Sequence, residues 1–353
     1  MKLKNELLKL GLSVSLYDDG LFYCRRNNNL IGLLTCHVDD IEWGGTPQFR
    51  TSVIDKIKQI FQISKESTGA FKYVGINMSQ NGDGTVQMDQ LDYTNSLTEI
   101  QLNKDVIGDR DRALNPKEKT LLRKCIGQLN WLACISRPDI AFDVSLASSN
   151  VSVATVNDLV NINKLIRKVQ RHSSHNILFS KLDLNSLCIK GFSDSSYNNL
   201  KDGGSQGGHI LFLSDKNGIL CPIEWKSNRM RRIVRSALAA ESLAAADSME
   251  SIVFLQKILN EVLNVNNPAT NYIDSNSLWQ NLQSTKFVQD RLLRVDIKCL
   301  QQNSIDNNIA VEWIESEQNL SDIMTKSGVN SENLRYVLKY GRLPKHIVYG
   351  NLQ

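Results

Sequence analysis

The chain has 353 residues, 41% of them apolar, with a formal net charge of +4, enough to bury a sizeable core in two or three domains. Seven scattered cysteines, Cys24, Cys36, Cys125, Cys134, Cys188, Cys221 and Cys299, never fall in a C-x-x-C spacing, which argues against a disulfide framework or zinc knuckle and for a reducing compartment. No apolar run approaches the roughly 18 residues of a membrane span, so an intracellular, non-membrane protein is expected, and the small net charge alone does not identify a nucleic-acid partner.

In chain order, MKLKNELLKLGL reads as an amphipathic helix. LFYCRR and LIGLLTCHV, separated by the turn-forming NNN, read as a hairpin. Its second strand runs into CHVDDIEWGG, so Asp39 and Asp40 fall just past a buried strand, either as metal ligands or as the polar tip of the hairpin. FKYVGINMSQ, NGDG and TVQMDQ extend a small sheet over residues 20–90. LDYTNSLTEIQL, KEKTLLRKCIGQLNWLACI and VNDLVNINKLIRKVQRH make residues 91–172 helical, broken at Arg137-Pro138. From 177 onward strands alternate with helices: ILFSKL, LCIKGFSD, GGHILFL, CPIEWKS and RRIVRS are strand-like, and a long helix starts at Ala237. The strand TNYID, helices near 275–283 and 288–302, the strand IAVEWIE and a helix at 319–326 follow.

Four carboxylates in the last region sit at element ends. Asp194 follows a strand, as does Asp274, at the edge where α/β layers commonly place their sites. Glu241 lies in the first turns of the long helix, and Asp322 near the start of the last one. If they converge, the set suits phosphodiester hydrolysis with two divalent ions about 3.5–4 Å apart, for which hard oxygen ligands favour Mg²⁺, with Mn²⁺ as the alternative. Taken singly, each has a plainer reading: Asp274 as a helix N-cap, Glu241 as a solvated helix residue, Asp322 as a partner of a helix dipole.

IKGFSDSSYNNLKDGGSQGGHILFL, IEWKSNRMRRIVRSALAAESLAAAD, NYIDSNSL and VEWIESEQNLSDIMTKS, in that order, resemble the ribonuclease H domain of copia-type LTR retrotransposon polyproteins. The resemblance implies that Asp194, Glu241, Asp274 and Asp322 are catalytic metal ligands that cleave the RNA strand of RNA–DNA hybrids. Upstream, CHVDDIEWGG looks like the Y-V-D-D turn of a reverse-transcriptase palm with His37 in the tyrosine place, so that Asp39 and Asp40 would be a partial palm metal site. FKYVGINMSQ resembles the family's F-L-G-I strand, and LRKCIGQLNWLACISRPDIAFDVS resembles its thumb helices. The implied fold is α/β, a truncated palm and thumb followed by a ribonuclease H-like mixed sheet with helices: residues 1–105 palm, 106–176 thumb or connection, 177–326 ribonuclease H-like, and 327–353 a tail without readable chemistry.

Two departures shape the expectation. Only 38 residues precede Asp39, too few for the palm's other ligand strand and for fingers, so the chain alone is not expected to polymerise DNA unless the rest of a polyprotein supplies those parts. Between Val311 and Asp322 there is no histidine, leaving water, Glu315 or Glu317 to carry protons during product release. A catalytically inactive remnant that binds nucleic acid or a protein is the alternative.

KSNRMRRIVR carries Lys226, Arg229, Arg231, Arg232 and Arg235 with no acid among them, immediately before the Glu241 helix. Such a cluster can neutralise the phosphates of a hybrid duplex, or be a solvated basic hairpin. Lys164, Arg167, Lys168 and Arg171 lie at helical spacing and could extend the track. The glycines of DGGSQGGH read as a turn before a strand, since no Lys-Ser/Thr follows. Trp225, Trp279 and Trp313 read as core or sheet-face residues.

Overall fold

The computed structural model describes residues 2–38, 40–285, 288–345 and 347. Its internal contacts divide the chain into two units, Met1–Gln80 with Ser251–Asn267, and Asn81–Glu250 with Pro268–Gln353. In the first, helix α1 (Lys2–Lys9) precedes an antiparallel sheet of β1 (Ser13–Val14), β2 (Leu21–Arg26), β3 (Asn29–His37) and β4 (Asp40–Gly45), in that spatial order. The expected hairpin turns at Asn27 and Asn28, whose φ of 50° and 63° fall in the left-handed region that asparagine tolerates. Phe22, Cys24, Ile31 and Leu34 pack with Leu7 and with Phe49, Val53 and Ile57 of the helical run α2 (Pro47–Phe49), a π segment Arg50–Ile54 and α3 (Asp55–Ile60).

FKYVGINMSQ, read as a single strand, is two. β5 (Ala70–Tyr73) and β6 (Ile76–Gln80) pair antiparallel, Tyr73 opposite Ile76. Val74 and Gly75, at φ 46° and 79°, make the two-residue turn whose twist suits a hairpin.

The second unit starts with β7 (Val86–Asp89), which pairs antiparallel with β8 (Asn176–Phe179). Between them lie α4 (Leu91–Ser96), α5 (Lys104–Gly108), α6 (Pro116–Ile135), α7 (Ala141–Ser149) and α8 (Val156–Arg171). α6 begins where Asn115 Oδ1 accepts from the Glu118 amide (3.0 Å), Glu118 accepts from the Asn115 amide (2.9 Å) and Pro116 takes the first helical position, a reciprocal cap. It ends before Pro138, which disfavours a helical Arg137. Leu122, Leu129 and Leu132 of α6 pack against Leu159, Ile162 and Ile166 of α8.

Arg137 is fully buried there. Its guanidinium donates two bonds to the Asp139 carboxylate, 2.8 and 3.0 Å, and reaches the Val169 carbonyl at 3.3 Å. Arg335 adds two more bonds to Asp139 Oδ2, 3.0 and 2.8 Å. Although burial opposes its charge, these guanidiniums hold the Asp139 carboxyl far below the usual carboxylate range, so the R-P-D stretch is a buried ionic clasp.

A five-stranded mixed sheet follows: β9 (Cys188–Ser196), β10 (Gln206–Ser214), β11 (Leu220–Arg229), β12 (Ala269–Ile273) and β13 (Ile309–Trp313), in the order β11-β10-β9-β12-β13. The first three are antiparallel, and β12 runs parallel to both β9 and β13, so the fold is the expected mixed α/β type. α9 (Ala237–Leu263) connects β11 to β12; α10 (Asn276–Gln283) and α11 (Arg291–Asp306) connect β12 to β13. Phe192, Ile210, Phe212 and Tyr272 form a core with Leu334, Val337 and Leu338 of α12 (Glu332–Tyr340).

Three local expectations are corrected. RRIVRS is not a strand: β11 ends at Arg229, opposite the first residue of β10, Gln206, so residues 231–236 have no neighbour to pair with, and Ile233 is 92% exposed. The helix expected at 319–326 shrinks to a 3₁₀ turn, Asp322–Met324, because Asn319 Oδ1 accepts from the Ser321 amide (3.1 Å) and hydroxyl (2.7 Å) and competes with helical bonding. Residues 327–353, read as a tail, contain α12, whose apolar face is part of the sheet core. Among the described residues no helix is long and apolar enough to cross a membrane.

Candidate active site

Strand register assembles the centre. β12 runs parallel to β9 with Ile273 opposite Ser193, so the next residues, Asp274 just past β12 and Asp194 within β9, share one face of the sheet. Asp194, expected to follow its strand, lies inside it because β9 continues to Ser196 along β10. Glu241 comes from the first turns of α9, and Ser195 Oγ donates to its Oε1 at 2.7 Å. One carboxylate oxygen from each of Asp194, Glu241 and Asp274 lies within 4.8 Å of the others.

The elements that carry the three carboxylates are tied together behind them. Ser248 Oγ donates to Asn271 Oδ1 (2.8 Å), Asn271 Nδ2 to Ser193 Oγ (3.2 Å), and Asn319 Nδ2 to the Ser193 carbonyl (3.0 Å). This buried chain of bonds links α9, β12, β9 and the loop before Asp322. Trp313, read as a core or sheet-face residue, donates its indole N–H to the Asp274 carbonyl at 3.1 Å. Trp225 donates to the Ala133 carbonyl at 2.6 Å.

Asp322 does not join the trio. Its carboxylate bonds the Lys326 ammonium, and the same Nζ lies 3.3 Å from Asp194 Oδ2. The Thr325 hydroxyl donates to that Asp194 oxygen as well. This approach depends on Gly208, which pairs with Asp194 on β10: a Cβ there would come within 2.4 Å of Met324 Cβ and 3.2 Å of its carbonyl carbon. The Met324 carbonyl is held in turn by Ser227 Oγ at 2.5 Å, and Ser227 Oγ by Gln206 Nε2 at 2.9 Å. The last glycine of DGGSQGGH, Gly208, thus makes room for the Asp322 turn, a role that spacing within the motif does not reveal.

Electrostatically the trio is costly as it stands. Burial, with repulsion from Asp274 and Asp322, pushes the Asp194 carboxyl up to about 7 against the opposing Lys326 charge. Burial and the Asp194 charge push Glu241 up to about 8. The Lys326 ammonium is held above its usual range by Asp194 and Asp322, which outweigh its own burial. Three hard oxygen donors that cannot all ionise cheaply fit a divalent cation of the Mg²⁺ type, whose charge removes the penalty.

At the other predicted centre, Asp39 lies outside the described residues, and Asp40 is exposed at the start of β4, opposite His37. Among the described residues Asp40 belongs to no group of carboxylates close enough to share an ion.

The basic segment is partly neutralised. Arg229 pairs with Asp202 at 2.6 Å, and Arg232 forms a two-bond fork with Asp296, 3.1 and 2.6 Å. Lys226, Arg231 and Arg235 are exposed. On α8, Arg167 pairs with Glu99, and Lys168 with Asp143 at 3.1 Å, so two of the four charges on that track are engaged in internal ion pairs.

No protein-family model matches the chain. It is 24% identical over 341 residues to the retrovirus-related Pol polyprotein from transposon RE1 of Arabidopsis thaliana, a match covering 92% of this chain and 22% of that protein. To the corresponding polyprotein from transposon RE2 of the same plant it is 25% identical over 288 residues, 78% of this chain and 19% of the relative. Solved structures similar to it include LC11-RNase H1 in complex with RNA/DNA hybrid, with a TM-score of 0.31 and 16% identity over 39% of this chain and 93% of that one. The foamy viral protease-reverse transcriptase in complex with RNA/DNA hybrid gives a TM-score of 0.48 and 13% identity over 85% of this chain and 37% of that one. The chain spans about a fifth of the length of the Arabidopsis polyproteins, and its homologues are retrovirus-related transposon Pol polyproteins, in agreement with its copia-type motifs.

Proposed function

We propose that the chain hydrolyses the RNA strand of RNA–DNA hybrids with the help of Mg²⁺ held by Asp194, Glu241 and Asp274, as the ribonuclease H part of a retrotransposon polyprotein. The single observation that carries this reading is the convergence of those three carboxylates within 4.8 Å at one end of the mixed sheet, from three separate stretches of sequence. The Pol relatives point to the same chemistry. On this reading residues 177–326 are the ribonuclease H-like domain, residues 1–105 correspond to part of a palm, residues 106–176 to a thumb or connection, and residues 327–353 to a C-terminal extension.

A bound Mg²⁺ would supply the positive charge that makes a water nucleophilic and stabilises the developing phosphate oxyanion. The protein's own part is to present ligands without rearrangement. Ser195 fixes the Glu241 carboxylate, Thr325 fixes Asp194, and the Asn319–Ser193–Asn271–Ser248 bonds keep their supporting elements together. Asp322 acts beside the trio, by anchoring Lys326. Lys226, Arg231 and Arg235 provide the exposed charge for duplex phosphates, whereas Arg229 and Arg232 are engaged within the fold.

The test is cleavage of an end-labelled RNA–DNA hybrid in Mg²⁺, with single-stranded RNA as counter-substrate and Asp194→Asn as control. Cleavage confined to the hybrid and abolished by the substitution supports the reading. A folded protein that binds the hybrid but leaves it intact would refute it.

A further inference from the structure

We propose that the outward face of α12 and the segment after it form a binding surface for single-stranded nucleic acid, with Tyr336 and Tyr340 as its base-stacking platform. None of its residues belongs to the carboxylate centre, and the inference does not depend on that centre's chemistry.

The spacing within ENLRYVLKY divides the helix. Leu334, Val337 and Leu338 share one face and enter the core beside the sheet, whereas Tyr336 and Tyr340, one turn apart, stand outside that core. The two tyrosines are 39% and 48% exposed, and their rings lie side by side with centroids 4.6 Å apart, tilted by 46°. Lys339 places its Nζ 5.2 Å from the centre of the Tyr340 ring, and Arg342 and Lys345 follow, both exposed. Residues 333–353 contain no Asp or Glu; Glu332, one turn before Tyr336, is the only acid of α12. Aromatic rings interleaved with cations match what a single strand offers, unpaired base faces and phosphates. A duplex keeps its base faces stacked inside and would engage the cations alone, as would an acidic protein surface.

The surface is held in place from beneath. Arg335, on the same helix, forks to Asp139 at 3.0 and 2.8 Å. Gly341, at φ 62°, ends α12. Its carbonyl accepts from the Leu220 amide of β11 at 2.8 Å, and Arg342 pairs with Ile219 in an isolated antiparallel bridge. Pro344 and Ile347 are buried, with the Ile347 amide donating to the Pro344 carbonyl at 3.0 Å. Arg342 and Lys345 therefore project from anchored backbone, so binding a strand requires little ordering of the chain.

Fluorescence anisotropy of the full chain with labelled oligo-dT and oligo-U of about 12 nucleotides, in EDTA so that no cleavage interferes, reads the affinity. Tyr336→Ala combined with Tyr340→Ala is expected to weaken binding of both strands by on the order of tenfold or more, whereas Tyr336→Phe with Tyr340→Phe, which keeps the rings, retains it. Replacing Lys339, Arg342 and Lys345 together by Gln should flatten the salt dependence by about 0.7 per charge removed. Photo-cross-links from a 5-iodouracil-substituted strand should map to residues 332–345 by mass spectrometry. Thermal melts verify folding, with Tyr340→Ser alone as the substitute if the double alanine variant does not fold. Unchanged affinity in the folded alanine variant, cross-links confined to other segments, or duplex DNA held as tightly through the same residues would overturn the proposal. So would a dimer in sedimentation that the alanine pair dissolves while no oligonucleotide binds, which would assign the face to a second copy of the chain. Loss of hybrid cleavage at the carboxylate centre leaves all of these readouts unchanged, so the two readings fail separately.

Discussion

Replacing Gly208 with alanine isolates the contact that brings the Asp322 turn to Asp194. The new Cβ would lie 2.4 Å from Met324 Cβ and 3.2 Å from the Met324 carbonyl carbon, so one of the two elements must move by roughly 1 Å to restore an ordinary carbon contact of about 3.5–4.0 Å. β10 is paired on both edges, which leaves the turn as the part that yields. Overpacking of this kind costs about 1–3 kcal/mol, to be read from urea-unfolding midpoints. The displacement also carries the Thr325 hydroxyl and the Lys326 ammonium away from Asp194, and a misplacement of about 1 Å can cost on the order of 10²-fold in rate. Hybrid cleavage should therefore fall much further than stability does, while Gly207→Ala, which meets only Met230 Cε at 3.1 Å among its close neighbours, changes cleavage little. Unaltered stability and cleavage in Gly208→Ala would refute the argument that this glycine seats the turn.

Further outcomes follow from the same geometry. Asp194 and Glu241 have folded-state values raised to about 7 and about 8 by burial and mutual repulsion, so the stability they favour is complete below about pH 4 and is lost as pH rises through those values. His175, depressed to about 4 mainly by burial, works the opposite way but only below about pH 6.5. Between pH 6.5 and 8, unfolding in EDTA should therefore show stability falling by on the order of 2 kcal/mol, and Mg²⁺ should remove the slope; stability that is flat in EDTA would contradict the burial argument. Arg137→Met leaves Asp139 buried with Arg335 as its remaining guanidinium partner and should cost about 3–5 kcal/mol by chemical denaturation. Lys226→Ala with Arg231→Ala should weaken hybrid binding and flatten its salt dependence by about 0.7–0.9 per charge removed, whereas Arg232→Ala, which breaks the fork to Asp296, should lower the melting temperature instead; an unchanged salt slope in the double variant would remove this surface from the interface.

Much of this architecture was legible because it is written in local chemistry. Asn27 and Asn28 mark a hairpin turn, and Pro138 closes α6. Alternating apolar stretches placed β9, β10, β12 and β13, and the four motifs in order named Asp194, Glu241, Asp274 and Asp322 together. Where neighbours in space decided, local reading failed. RRIVRS has strand composition, but β10 offers nothing beyond Gln206 to pair with it. Residues 319–326 have helical composition, but Asn319 captures Ser321.

The sequence by itself determined which carboxylates are available and which strands and helices carry them or adjoin them, because strand and helix periods and caps are set by residues within a few positions of one another. Only the tertiary structure decided that three of them meet while the fourth turns to Lys326. That choice depends on the parallel register of β9 and β12 and on a glycine opposite Asp194 that admits the Met324 backbone. The partners in both contacts are about 80 and 116 residues apart in the chain, beyond the reach of any local rule, and are brought together by burial of the core that the sheet and its helices share.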